Sequence, residues 1–265
     1  MCTLLDIGYR PFMTRSMSEK PLAGKVAIVT GSGKGIGRAI VKGYAEAGAR
    51  VCVTARTQSQ VDEVAEEIVE AGGEAISVAC DVTDPDAVTR MVDHTVEAFG
   101  GLDLVFMNAG GCLESNSIQE ADPRIWRETI EVNLNSAFYT AQAVIPHLKA
   151  RGEGKIITMG SGTGHKGHNR IAAYCAAKAG LWHFTRMLAE ELISYNITVN
   201  ELIPGIVHTK LAEGEKPERR LLDSLGGAHE YQKLPEDVVP LALHLATAPK
   251  YGPTAQSFSL TRRWI

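Results

Sequence analysis

Several features are missing from this 265-residue chain. No apolar run approaches the roughly 20 residues that a bilayer-crossing helix needs, so no membrane association is expected. No Cys-x-x-Cys pair occurs. The five cysteines (Cys2, Cys52, Cys80, Cys112, Cys175) stand singly and are odd in number. That argues against a disulfide framework or a zinc site and suits a reducing compartment, so a cytoplasmic protein without metal is expected. There is no excess of basic charge: 27 Lys and Arg face 31 Asp and Glu, for a net charge of −4. Nucleic acid is therefore not an expected partner. The first twenty residues lack a signal-peptide pattern, since their short apolar stretch is broken by Asp6 and Arg10. Internal repeats, low-complexity tracts and linkers are absent as well.

What remains is a chain that is 45% apolar, enough to build a substantial core. Residues 1–20 are expected to form a loose tail and residues 21–265 a single domain. Lys25 to Thr30 reads as a buried strand and opens into Gly31-Ser32-Gly33-Lys34-Gly35-Ile36-Gly37, followed by a helical pattern from Arg38 to Ala47. Strand, glycine turn and helix make a phosphate cradle, because glycines admit a close backbone approach and a helix N-terminus favours an anion. Arg50 to Thr54 is a second strand, and its end reads Ala55-Arg56-Thr57, with no carboxylate. Arg56, with Lys34 beside it, suits a ribose 2′-phosphate, so NADP is preferred over NAD; the alternative is two solvated surface cations.

The alternation continues. A helical pattern through Val61, Val64, Ala65, Ile68 and Val69 leads to a third strand, Glu74 to Ala79, and then to Asp81-Val82. Asp81 is either an acceptor for an adenine amino group or a turn residue. Asp84-Pro85 reads as a helix N-cap followed by a first-turn proline. Leu102 to Met107 is a fourth strand opening into Asn108-Ala109-Gly110-Gly111, and one long helical region is expected from about Asp122 to Ala150. Gly154 to Met159 is a fifth strand, Thr198 to Ile203 a sixth ending in Pro204-Gly205, and Gln256 to Leu260 a last one. A charged segment at about 210–233 lacks periodicity and reads as a lid. Strands alternating with helices, with glycine or polar residues after the strands, predict an α/β fold: a single Rossmann-type, doubly wound parallel sheet of about seven strands with helices on both faces and ligands at the strands' C-terminal ends.

One stretch carries chemistry beyond binding. Tyr174 and Lys178 lie four residues apart in an alanine-rich segment, a spacing that puts both on one helix face. A free phenol has a pKa of about 10, and a nearby ammonium favours its ionised form. Lowering that pKa by roughly three units takes about 4 kcal/mol and gives a group that trades protons near neutral pH. Ser161, after the fifth strand, is placed to hydrogen-bond the same substrate oxygen.

Together these motifs resemble the short-chain dehydrogenase/reductase family from about Pro21 to Leu260. The glycine motif T-G-x-x-x-G-x-G is Thr30 to Gly37, N-A-G is Asn108-Ala109-Gly110, and Y-x-x-x-K is Tyr174 to Lys178. The adenine-side aspartate matches Asp81, a helix asparagine Asn133, the serine Ser161, and P-G-x-x-x-T the run Pro204 to Thr209. The resemblance implies an NADP-dependent oxidoreductase that interconverts a carbonyl compound and an alcohol. Tyr174 would be the proton donor or acceptor, Ser161 the ligand of the reacting oxygen, Lys178 the ribose binder and Asn133 part of a proton relay. It also implies that Ile206 and Thr209 meet the carboxamide end of the cofactor, that Pro204 and Gly205 bind the cofactor too, and that the chain forms a dimer or tetramer. Met107, Gly160 and Ala255 depart from frequent family residues, and the ending Leu260 to Ile265 departs from the usual terminus.

The substrate is a small molecule whose pocket is expected to use Gly111, Cys112, Glu114, Gly162, His165, His168 and His208. Three histidines suit a polar substrate, and equally suit exposed loops. A 3-oxoacyl thioester reductase, a silent cofactor-binding sensor or scaffold, and a methyltransferase-like binder remain as alternatives.

Overall fold

Alternate residues along each strand belong to opposite faces of one sheet. In β1 (Val26–Thr30), Ala27 and Val29 join one core while Val26 and Ile28 join the other. In β4 (Leu104–Met107), Leu104 and Phe106 divide in the same way from Val105 and Met107. A strand apolar at every position must be covered on both sides, and that is why the sheet is sandwiched between two helical layers. This computed structural model describes residues 20–209, 220–222 and 230–261.

The order along the chain is β1, α1 (Gly35–Glu46), β2 (Arg50–Ala55), α2 (Gln58–Glu70), β3 (Glu74–Ala79), α3 (Pro85–Phe99), β4, α4 (Pro123–Ile130), a π-helical turn (Glu131–Asn135), α5 (Ser136–Arg151), β5 (Gly154–Met159), α6 (Gly162–Lys166), α7 (Ala172–Leu192) and β6 (Ile197–Ile203). A two-stranded antiparallel pair, β7 (Arg220–Leu222) and β8 (Glu230–Gln232), α8 (Val239–Thr247) and β9 (Ser257–Ser259) complete it. Seven parallel strands form the main sheet in the order β3-β2-β1-β4-β5-β6-β9. One core lies under α1, α2 and α8; the other lies under α3, α5 and α7.

The strand order reverses between β1 and β4, so the two neighbouring chain exits diverge and leave a crevice at their C-terminal ends. The expected sheet of about seven strands is the observed one. The Asp84 side chain caps α3, accepting from the Asp86 and Ala87 amides, with Pro85 in the first turn. The region expected as one long helix from Asp122 to Ala150 is interrupted by the π-turn, which inserts an extra residue into the hydrogen-bond ladder. Val69, expected on a buried face, is 54% exposed. Most of the segment expected as a lid lies outside the described residues, as does the expected tail except for Lys20.

Candidate active site

The crevice at the switch point is a cleft of about 710 Å³. Gly31, Lys34, Gly35, Ile36 and Gly37 form one wall, and Arg56, Asp81 and Val82 line the end beyond β2 and β3. Asn108, Ala109, Gly110 and Gly111 follow β4, and Ser161, Tyr174 and Lys178 close the other end with Pro204, Gly205 and Thr209. A smaller cavity, about 180 Å³, lies elsewhere against Lys25, Asp103 and Glu153; these charges bind one another there, with Lys25 Nζ 2.7 Å from Glu153 Oε1.

The glycine turn is built for close approach. A Cβ on Gly37 would collide with the Gly31 carbonyl and the Asn108 amide, so only glycine lets the start of α1 pack onto the turn. No carboxylate occupies the first turn of α1, which leaves the positive end of its dipole free for an anion. Asn108 Nδ2 donates to the carbonyls of Thr30 (2.9 Å) and Gly31 (3.1 Å), tying the exits of β1 and β4 together. Thr30 Oγ1 completes the tie by accepting from the Asn108 and Ala109 amides. Lys34 and Arg56 are exposed and form no ion pair among the described residues. These features fit a dinucleotide: a backbone cradle for its diphosphate, and cations where the adenosine end would lie.

At the other end, Asn133 is 1% exposed and sits on the π-turn. Its Nδ2 donates to the carbonyls of Gly111 (2.8 Å) and Thr129 (2.9 Å), while its Oδ1 accepts from the Gly111 amide at 3.0 Å. The π-turn thereby fastens the loop after β4. Ser161 is the N-cap of α6; its Oγ accepts from the Thr163 amide and lies 2.9 Å from Thr163 Oγ1. The same side chain acts on the Tyr174 phenol, favouring its ionised form. Lys178, 2% exposed, donates from Nζ to the Met159 carbonyl at 2.8 Å.

The electrostatics correct one expectation. Burial pushes the Tyr174 phenol up, and Ser161 pulls against it. The lowering expected from Lys178 does not operate in this arrangement: its ammonium is turned to Met159 and stands 5.6 Å from the centre of the phenol ring. Burial also pulls Lys178 itself down to about 8, with Glu201 acting in the opposite sense.

Other expected residues separate. Ser32 is fully buried and does not line the cleft: its amide donates to the Thr54 carbonyl and its Oγ accepts from the Thr54 amide, so it holds the turn to β2. Ile206 does not line the cleft, although Pro204, Gly205, Val207 and Thr209 do. Asp81 accepts from the Thr83 amide and hydroxyl, the turn role, and its residue still borders the cleft. Of the expected substrate-pocket residues, Gly111 lines the cleft; Cys112, Glu114, Gly162, His165, His168 and His208 do not. His165 turns instead to Glu201, beneath the site, and His168 is exposed. Sequence reasoning missed Glu201, whose only signal was a carboxylate inside a strand. It also missed Leu113, Glu128, Glu131 and Val132, cleft-lining residues on loop and helix without any motif.

Comparison with known proteins agrees with this geometry. The family described as short chain dehydrogenase matches residues 25–220. A cyclohexanol dehydrogenase of an Acinetobacter species is 35% identical over 88% of this chain and 91% of its own. A 3-oxoacyl-acyl-carrier-protein reductase of Vibrio cholerae is 35% identical over 75% of this chain and 80% of its own. The crystal structure of a short-chain type dehydrogenase/reductase from Mycobacterium marinum superposes with a TM-score of 0.78 at 35% identity, covering 90% of this chain and 94% of that one.

Proposed function

Because the chain belongs to the short-chain dehydrogenase/reductase family, oxidoreductases that use nicotinamide cofactors, we propose that it is an NADP(H)-dependent carbonyl reductase, interconverting a ketone or aldehyde with its alcohol. The observation that carries this reading is the meeting of a phenol, a hydroxyl and a buried amine, Tyr174, Ser161 and Lys178, in one cleft with the glycine turn.

When bound, the nicotinamide supplies the hydride. The protein handles the proton. The substrate carbonyl oxygen is received by the Ser161 and Tyr174 hydroxyls, which stabilise the negative charge developing there. Burial keeps the Tyr174 phenol protonated, so it enters the reduction as an acid able to give up its proton. The charge left on the phenolate is met by the Lys178 ammonium, which moves from the Met159 carbonyl toward the reacting end of the cleft. Asn133 and Lys178 converge at Gly110, where an added Cβ would collide with Asn133 Oδ1 and come within 3.6 Å of Lys178 Nζ. Asn133 would hold a water through which the replacement proton reaches Lys178. Lys34 and Arg56 would bind the 2′-phosphate that distinguishes NADP from NAD.

The reading includes a cytoplasmic setting, in keeping with free Cys52, Cys80, Cys112 and Cys175. It also includes a dimer or tetramer built on α5 and α7, where Phe138 and Met187 are 48% and 59% exposed; light scattering counts the subunits. Among the described residues no helix is long and apolar enough to cross a membrane.

The test is NADPH consumption with cyclohexanone and with an acetoacetyl thioester, which also separates a simple ketone from a thioester substrate. Tyr174→Phe is expected to lower turnover about 100-fold or more, the usual worth of a general acid. Turnover unchanged in that variant would overturn the mechanism. NADPH binding without turnover on any carbonyl class would point to a sensor.

A further inference from the structure

The site rests on a buried charge with no part in the chemistry above. Glu201, in the middle of β6, is 0% exposed. A carboxylate taken out of water must be paired and hydrogen-bonded or it destabilises the fold. His165 Nε2 lies 3.0 Å from Oε2 and 3.3 Å from Oε1. A carboxylate only accepts, so that nitrogen carries the proton. Ser257 Oγ donates to Oε2, and Arg186 donates to Ser257 Oγ at 3.2 Å. The groups facing Glu201 are thus His165 from α6, Ser257 from β9 and, through Ser257, Arg186 from α7; Lys178, also of α7, is the further cation on which its charge acts. On the β5 side it meets Gly160, where any Cβ would collide with the carboxylate. The missing side chain at Gly160, immediately before Ser161, is what opens the space that Glu201 fills.

We propose that Glu201 is a positioning residue for the reaction: its buried negative charge holds the Lys178 ammonium from beneath, and through His165 it clamps the short helix that has Ser161 at its N-cap. Two observations converge on this. Lys178 Nζ is held at the Met159 carbonyl, and the Glu201 carboxylate lies against the very next residue, Gly160, so the two charges meet at the same exit from β5; there the carboxylate favours the charged form of Lys178. His165 stands one helical turn beyond Ser161 in α6, so a bond from its ring to β6 fixes the helix to the sheet. The proposal rests on the function assigned above, but its first readout does not need turnover.

That readout is the titration of Lys178, followed by NMR at its Cε carbon and assigned by comparison with Lys178→Met. Glu201→Gln keeps the side-chain shape and removes the charge. The Lys178 midpoint is expected to fall by about one pH unit, the low end for loss of a close opposite charge. The pH above which carbonyl reduction fails is expected to fall with it. Glu201→Asp, which keeps the charge, is expected to restore the midpoint. Should Glu201→Gln not fold, Gly160→Ala serves in its place: its methyl displaces the carboxylate, and the midpoint is expected to move the same way. His165→Gln is expected to leave the Lys178 midpoint in place while lowering kcat several-fold. An unmoved Lys178 midpoint in a folded Glu201→Gln protein overturns the proposal. If Tyr174→Phe is inactive in the same preparations, the function stands without it. If Tyr174→Phe is active while the midpoint moves, the function fails and the Glu201–Lys178 coupling stands.

Discussion

Lys178 is a cost that the fold carries for its site. Its amine titrates near 8 in the folded chain against 10.5 for an ordinary lysine, because burial penalises the ammonium. At pH 7 both folded and unfolded chains hold the proton, and the full penalty, about 3 kcal/mol, weighs on the folded state. Between pH 8 and 10.5 the unfolded chain still binds the proton and the folded one has released it, so this group makes stability rise with pH. Lys178→Met removes that slope. Urea unfolding of both proteins across this window is expected to show the wild type gaining about 3 kcal/mol on the variant; a constant difference would mean that Lys178 is not titrating there. The position of Lys178 beside Tyr174 was legible in the sequence, since a four-residue spacing on a helix fixes which side chains are neighbours. The direction of the Tyr174 shift was not, because it depends on what the ammonium faces and on how much of the phenol is covered. Neither was the partner of His165, whose orientation is set by where α6 lies against β6.

The π-turn at Glu131–Asn135 shows the same limit for a whole segment. Its apolar residues continue the helical pattern on both sides, so nothing in the spacing from Asp122 to Ala150 marks the inserted residue. Only the hydrogen bonds reveal it, and they explain it: Asn133 reaches both the Thr129 carbonyl and the loop at Gly111. Such π-turns often mark functional positions. Asn133→Ala leaves the Gly111 amide and the Thr129 and Gly111 carbonyls without these bonds. A loss of about 1–3 kcal/mol is expected in urea unfolding, the cost of stranded buried polar groups. The loss is expected to come with weaker cofactor binding, because Gly110 and Gly111 line the cleft. Full stability in Asn133→Ala would show that the loop after β4 is held by other contacts. Elements with sharp chemical ends, such as the Asp84-capped α3, were located by sequence; those ended only by tertiary contact were not.

Strand order was legible as a class but not in detail: alternation of strand and helix implies parallel pairing, and the reversal between β1 and β4 follows from which exits diverge. What the arrangement produces is one ligand cleft bordered by segments from both halves of the sheet, from Arg56 after β2 to Pro204 after β6. A ligand spanning it ties those segments together and must therefore stabilise the whole fold, by RT ln(1 + [L]/Kd). NADPH at 100 times its Kd is expected to add about 2.7 kcal/mol and to raise the melting temperature, while NADH at the same concentration raises it less. The difference should reside in Arg56, an exposed guanidinium at the end of β2 with no carboxylate beside it in the sequence. Loss of a charge-assisted hydrogen bond costs about 1.5–3 kcal/mol, or roughly ten- to 100-fold in affinity. Arg56→Asp, which also repels a phosphate, is thus expected to abolish the preference for NADPH or reverse it, with little change in the melting of the unliganded chain. Thermal melts of the two proteins with each cofactor decide it. An unchanged ratio would place the 2′-phosphate away from Arg56, and equal shifts by NADPH and NADH in the wild type would end the NADP assignment altogether.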